Sequence, residues 1–274
     1  MKILIAADME GITGVVHADH TNPSHAEYGR FRKLMTADVN AAIKGAFDGG
    51  AAEVIVSDGH WDNRNILIEE LDPRARLNAG GPRPFSMVEG IDSGVNGVIF
   101  VGYHARMGTA NAILDHTWSS GRVDGVWLNG QAVGEIGLNA AVCGHFAAPV
   151  IAITGDQSAC AEATVLLGAV ETVIVKRATG RNSAECLSTE VTQDKIRKVV
   201  KRAVKRLAAG QAPAPFRLNA PITVAVEFIR CEQADAAALL PGAQRLEGKR
   251  VEVTAEEMPA AYRAFRALVG LASG

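Results

Sequence analysis

Five short runs rich in β-branched residues constrain the fold of this chain more than any other feature: Ile3-Leu4-Ile5, Glu53-Val54-Ile55-Val56, Gly97-Val98-Ile99-Phe100-Val101, Val150-Ile151-Ala152-Ile153 and Thr172-Val173-Ile174-Val175. Continuous apolarity, rather than alternation with polar residues, marks strands buried on both faces, as in a parallel sheet covered by helices. Between the first two runs, Leu34, Met35, Val39, Ala42, Ile43, Ala46 and Phe47 recur at three-to-four spacing until Gly49-Gly50 ends the pattern. That is the amphipathic helix of a β-α-β unit. Residues 123–133 form two short runs around Asn129-Gly130, a dipeptide suited to a tight hairpin turn, and Gly134-Glu135 then opens an apolar helix. The pattern predicts an α/β fold with a mostly parallel sheet flanked by helices.

After Val175 the texture changes. A charged helix over residues 193–208 precedes the Pro-marked stretch Ala212-Pro213-Ala214-Pro215, with strands near 222–228 and 250–254 and helices near 233–240 and 256–271. At about 150 residues per domain, 274 residues hold one large domain or two small ones. The expected division is an α/β metal-binding catalytic domain over residues 1–170 and a smaller α+β region over 171–274.

Composition excludes several classes. Lys and Arg number 28 against 30 Asp and Glu, a net charge of −2, so no global basic field exists for nucleic acid or an anionic membrane. The apolar runs fall far below the ~20 residues of a membrane helix, and the amino-terminal run meets Asp8 and Glu10 too soon for a signal peptide. The expected location is the cytoplasm, with no nucleic acid and no membrane as partner. Cys143, Cys160, Cys186 and Cys231 are scattered, without the paired spacing of a thiolate zinc site.

In an open parallel sheet, ligands bind beyond the carboxyl ends of the strands. Here the first strand ends in Asp8-Met9-Glu10-Gly11, the second in Ser57-Asp58-Gly59-His60 and the third in Gly102-Tyr103-His104-Ala105-Arg106. Residues two apart in extended chain point the same way, so Asp8 faces one point with Glu10, and Asp58 with His60. Glu135, at the helix entry, adds another carboxylate. A single strand-end Asp or His is commonly a turn cap or a solvated group. Gathering carboxylates and imidazoles on one edge needs a cation to offset repulsion, and carboxylate plus imidazole without thiolate is the ligand set of a hydrolytic Zn²⁺ site. A paired site needs a bridging carboxylate, and Asp8, short and held at a strand end, is the natural bridge.

Asp115-His116-Thr117-Trp118 supplies His116 as the candidate acid/base for the leaving amine. The basic loop Lys176-Arg177-Ala178-Thr179-Gly180-Arg181-Asn182-Ser183 reads either as a solvated loop with a helix cap or as a holder for a substrate carboxylate. His17, His20 and His25 read as an exposed loop, and His145 as a helix-end residue. No glycine-rich phosphate loop, nucleophile elbow or activated cysteine appears, which leaves metal-activated water as the economical nucleophile.

Five ordered motifs carry a resemblance over residues 1–271: Asp8-Met9-Glu10-Gly11-Ile12, Ser57-Asp58-Gly59-His60, Pro84-Phe85-Ser86-Met87-Val88-Glu89-Gly90, Gly102-Tyr103-His104-Ala105-Arg106 and Val133-Gly134-Glu135-Ile136-Gly137-Leu138-Asn139-Ala140. The chain resembles the D-aminopeptidases of the DppA type, the M55 family of metallopeptidases. The resemblance implies a cytoplasmic enzyme that removes an N-terminal D-residue from short peptides, with two Zn²⁺ per subunit, assembled as a ring-shaped homodecamer. It implies Asp8, Glu10, His60, His104 and Glu135 as metal ligands, with Asp8 bridging, and His116 as the catalytic histidine. The family's His-Ser pair is replaced by His116-Thr117, and residues 179–184 match the family's basic loop only in part. The rival readings are a related di-zinc amidase or L-aminopeptidase on the same scaffold, a metal-free scaffold protein, and phosphoryl transfer at paired metals.

Overall fold

The computed structural model describes residues 1–273. Along the chain, β1 (Lys2–Ala7), α1 (Tyr28–Asp48), β2 (Glu53–Asp58), β3 (Ala75–Asn78) and β4 (Gly97–Val101) lead into the hairpin β5 (Val123–Leu128) and β6 (Gln131–Val133). There follow α2 (Glu135–His145), β7 (Val150–Asp156), α3 (Gln157–Leu167), β8 (Glu171–Gly180), β9 (Ser183–Cys186) and α4 (Thr189–Ala208). The last elements are β10 (Ile222–Phe228), α5 (Cys231–Ala237), β11 (Gln244–Arg245), β12 (Arg250–Ala255) and α6 (Met258–Leu271).

Seven strands form the larger sheet in the order β3-β2-β1-β4-β7-β8-β9, parallel except for the final β8–β9 pair. The chain leaves β1 toward β2 and β3 on one side, then returns to place β4, β7 and β8 on the other. The strand order therefore reverses beside β1, the position where parallel sheets open a crevice at their carboxyl ends.

The apolar residues of the first four runs are buried on both faces, as their composition predicts, whereas in the fifth Thr172 and Ile174 are only partly buried. In β1, Ile3, Ile5 and Ala7 pack with α1 and α4, whereas Leu4 and Ala6 face the core shared with α2 and the second sheet. That smaller sheet, β11-β12-β10-β5-β6, is antiparallel, with α6 packed against β10 and β12 and touching α2. Asn139 of α2 links the layers: its amide donates to Tyr103 Oη at 3.1 Å, and its carbonyl accepts from Tyr262 Oη of α6 at 3.1 Å.

Sheet membership does not follow the expected division near residue 170. β8 and β9 extend the first sheet, while β5, with β6 along its other edge, pairs with β10 almost a hundred residues later. The expected basic loop is the end of β8 and its turn into β9, two antiparallel strands. Among the described residues, no helix is long and apolar enough to cross a membrane.

Candidate metal centre

The strand-end residues converge at the carboxyl edge of β2, β1 and β4. Two glycines permit this approach. A Cβ on Gly11 would lie 2.1 Å from the Tyr103 carbonyl, and one on Gly102, which has φ +74°, would lie 2.3 Å from the Asp8 carbonyl. With hydrogen in place of methyl, the segments after β1 and β4 lie against each other, and Gly11 N–H donates to Gly102 O at 2.8 Å.

Asp8 sits between two imidazoles, its Oδ1 3.3 Å from His60 Nδ1 and its Oδ2 3.4 Å from His104 Nε2. Glu10 Oε2 approaches His60 Nδ1 at 3.2 Å. On the other side, Glu135 Oε1 lies 3.2 Å from His104 Nε2 and 3.8 Å from His116 Nε2. Glu135 is the first residue of α2, and the same Oε1 accepts the Trp118 N–H at 2.6 Å. Asp8, Glu10, His60, His104 and Glu135 are buried, and His116 is partly exposed.

Each histidine has its other ring nitrogen on a backbone carbonyl: His60 Nε2 on Thr21 O at 2.9 Å, His104 Nδ1 on Ala105 O at 2.9 Å and His116 Nδ1 on Leu114 O at 2.8 Å. A carbonyl only accepts, so these nitrogens carry the protons. In the neutral rings, the lone pairs of His60 Nδ1, His104 Nε2 and His116 Nε2 are turned toward the carboxylates, the arrangement that fixes imidazole ligands.

Asp8 Oδ2, Glu10 Oε2 and His104 Nε2 are buried without a hydrogen-bond partner, a costly state unless a cation completes it. Burial and the Glu10 charge push the Asp8 carboxyl up to about 7. Burial also acts against ionised Glu10 and Glu135, but the His60 and His104 charges outweigh it and hold both carboxyls below their usual range. Reciprocally, burial opposes charge on His60 and His104, while Glu10 and Glu135 raise both imidazoles well above their ordinary value. This cluster of three carboxylates draws positive charge toward itself. Its oxygen and nitrogen donors, with no thiolate, suit Zn²⁺. Two groups have donor atoms all within 4.8 Å of one another, Asp8 with Glu10 and His104, and His104 with His116 and Glu135.

The cluster lies beside an open cavity of about 670 Å³, within the range of small-molecule sites. His116 faces this cavity from a loop with two bulky residues in left-handed backbone, Leu114 at φ +50° and Trp118 at φ +65°. Such strain persists only where surroundings over-determine it. Here Leu114 N–H donates to Arg181 O, Trp118 N–H to Glu135, and Arg181 Nε to Asp115 Oδ1 at 2.9 Å. Burial and adjacent His104 lower the His116 pKa, which keeps its ring neutral at neutral pH.

Asp58, expected to face the same point as His60, instead turns away. Its carboxylate accepts from Asn65 N, Asn65 Nδ2 and Ile66 N, at 2.6, 2.7 and 2.8 Å, and shapes the loop beyond His60. Lys176 points inward rather than toward ligand, donating to the carbonyls of Glu10, Ile12 and Val15 at 2.6, 2.8 and 2.6 Å. Sequence reasoning also missed Glu162 of α3, whose Oε2 accepts the Arg106 N–H at 2.8 Å behind His104. Neither spacing nor a motif marks these supports.

A mixed sheet with a carboxylate–imidazole cluster at its crevice defines a metal-site protein of the α/β class. The sequence matches the Peptidase M55 family, described as D-aminopeptidase, over residues 1–267, and the chain belongs to that family. It is 36% identical over 281 aligned positions to a D-aminopeptidase of Bacillus subtilis (strain 168), covering 99% of this chain and 98% of the relative. Its fold is similar to a solved structure described as "Zn-dependent D-aminopeptidase DppA from Bacillus subtilis, a self-compartmentalizing protease". The TM-score is 0.92 at 34% identity, over 99% of this chain and 98% of that one.

Proposed function

We propose that this chain is a zinc-dependent aminopeptidase that removes N-terminal D-amino acids, such as D-alanine, from short peptides, with two zinc ions per subunit. One observation carries the reading: three imidazole nitrogens, each oriented by a carbonyl behind it, converge with three buried carboxylates beside an open cavity. Asp8 would bridge, Glu10 and His60 would complete one metal position, and His104 and Glu135 the other. Zinc held there supplies Lewis acidity for the scissile carbonyl and water acidic enough to attack near neutral pH.

The chain's own groups do the remainder. His116, held neutral, accepts a proton at Nε2 and delivers it to the departing amine. A carboxylate of the cluster pairs with the free α-amino group of the substrate, which selects a chain end over an internal bond. The cavity wall that includes Met87, Leu114 and Trp118 determines which side of the substrate Cα is open, the property that separates D from L residues. Kinship with a protease described as self-compartmentalizing supports a ring-shaped homodecamer, and four free cysteines suit a reducing cytoplasm.

Metal analysis of the purified protein, followed by hydrolysis of D-Ala-D-Ala beside L-Ala-L-Ala, tests the reading. The expected result is about two zinc per chain and D-selective cleavage. Two zinc with L-selective cleavage would keep the site and replace the substrate. Protein without zinc, and inactive after zinc addition, would overturn the function.

A further inference from the structure

Two arginines line the cavity, Arg122 and Arg181. Arg181 is already committed: its Nε pairs with Asp115 Oδ1 at 2.9 Å, and its Nη2 donates to the Asp115 carbonyl at 3.2 Å. Asp62, which also lines the cavity, is paired with Arg64. Arg122 forms no ion pair among the described residues. Its one side-chain hydrogen bond runs from Nη1 to Val269 O, at 3.3 Å, in the last turn of α6. A guanidinium carries five N–H donors in a planar fork, so most of this one is free for a ligand.

The segment carrying Arg122 is fixed at both ends. Trp118 N–H is held by Glu135, and its ring packs edge-on against Tyr262 and Phe265 of α6, with centroids 5.9 and 5.2 Å away. Arg122 N–H then closes a turn onto Ser119 O at 3.1 Å, and Ile229 N–H donates to Arg122 O at 2.9 Å. Ser119 and Ser120 add hydroxyls to the same wall. The cavity thus has an anionic, imidazole-rich end that takes an amine and a scissile carbonyl, and a wall that presents an uncommitted cation beside hydroxyls.

We infer that Arg122 is a specificity-determining residue that binds the free C-terminal carboxylate of the substrate, so that the enzyme selects very short peptides by reading both of their ends. The inference rests on the aminopeptidase reading above and deepens it. A fork donating to a carboxylate is a strong, geometrically selective contact, and a C-terminal amide or a longer chain forfeits it. The sequence holds no motif for this role, because Arg122 reaches the cavity only through the contact of its segment with α6.

The test compares D-Ala-D-Ala with its C-terminal amide on zinc-loaded wild type, Arg122→Gln and Arg122→Lys. In wild type, kcat/KM for the acid should exceed that for the amide by roughly 10- to 100-fold, the range for a hydrogen bond to a charged group. The ratio should fall toward one in Arg122→Gln and take an intermediate value in Arg122→Lys. Both substrates are measured on one preparation, so partial misfolding cancels from the ratio. A wild-type ratio near one, or a ratio retained in Arg122→Gln, would overturn the role of Arg122 while leaving the aminopeptidase reading intact. If wild type cleaves neither peptide, the aminopeptidase reading fails, and calorimetric titration of the same two peptides decides the site separately. Tighter binding of the acid that is lost in Arg122→Gln supports the carboxylate site, and equal or undetectable binding of both peptides rejects it.

Discussion

His104 and His116 stack ring on ring, with centroids 4.0 Å apart and planes 11° from parallel. Both present Nε2 toward Glu135, and both are oriented by a carbonyl at Nδ1. Charge on one opposes charge on the other, which supports the proposed division of roles, with buried His104 beside two carboxylates as a ligand and cavity-facing His116 as the proton carrier. Replacing His116 by Ala should lower kcat by roughly 10²- to 10⁴-fold, the usual range for general acid–base catalysis, with zinc content unchanged. Elemental analysis of the variant checks it, and a loss of zinc would move His116 among the ligands.

Asp8 divides its two oxygens between His60 and His104. An Asp8→Ala protein should therefore hold far less zinc at both positions, whereas Glu10→Ala should impair one position more than the other. Stoichiometric zinc in purified Asp8→Ala would remove the bridging assignment.

Three buried carboxylates in one cluster repel one another, and metal bound to the folded state alone adds stability by mass action. Free metal at a hundred times Kd contributes about 2.7 kcal/mol. At about 2–4 °C per kcal/mol for a chain of this size, chelation should lower Tm by roughly 5–10 °C, reversed by added zinc. Calorimetry with and without chelator decides this, and an unchanged Tm would argue against a metal site.

Lys176 is buried beneath the segment carrying Glu10, and burial depresses its pKa from 10.5 to about 8. A depressed folded-state pKa means that the stability contribution is present above 10.5 and is lost as pH falls through about 8. Between those limits wild type should gain stability with rising pH relative to Lys176→Met, by at most about 1.4 kcal/mol per pH unit. The level of the variant's stability also falls, since three carbonyls lose their donor, so the informative quantity is the slope. Denaturant melts across this range that give parallel curves would contradict a buried, titrating lysine.

Gly11 and Gly102 have no room for a methyl group where the β1 and β4 ends meet. Gly11→Ala should destabilise the protein by several kcal/mol, because the obstruction is backbone and cannot rotate away. Gly29→Ala, where nothing lies within 4 Å, is the matched control in a helix. Equal stability of the two variants would mean that the strand ends can separate without cost.

The candidate centre was legible to the extent that it lies at the ends of strands. Asp8, Glu10, His60 and His104 follow apolar runs that specify buried parallel strands, and in such sheets the carboxyl end is the ligand-binding end. Parity along a strand misled at Asp58, because the chain turns at Gly59 and the Asp58 carboxylate binds Asn65 and Ile66 instead. Composition misled at residues 176–183, where basic residues suggested a loop. There the register of β7 and β8 shifts, so that Lys176 is buried directly after buried Val175, and the turn into β9 commits Arg181 to Asp115.

By itself, the sequence determined the buried parallel strands, the helix between β1 and β2, the Asn129-Gly130 hairpin, and the strand-end residues that offer oxygen and nitrogen donors. All of these depend on periodicity and turn chemistry within a few residues. The tertiary structure alone decided that the hairpin joins β10, that α6 holds the wall carrying Arg122, that Glu135 closes on His104, and that backbone carbonyls orient the three imidazoles. Those relations join segments distant in the chain, and their geometry follows from how two sheets and their helices pack, which no local pattern of residues encodes.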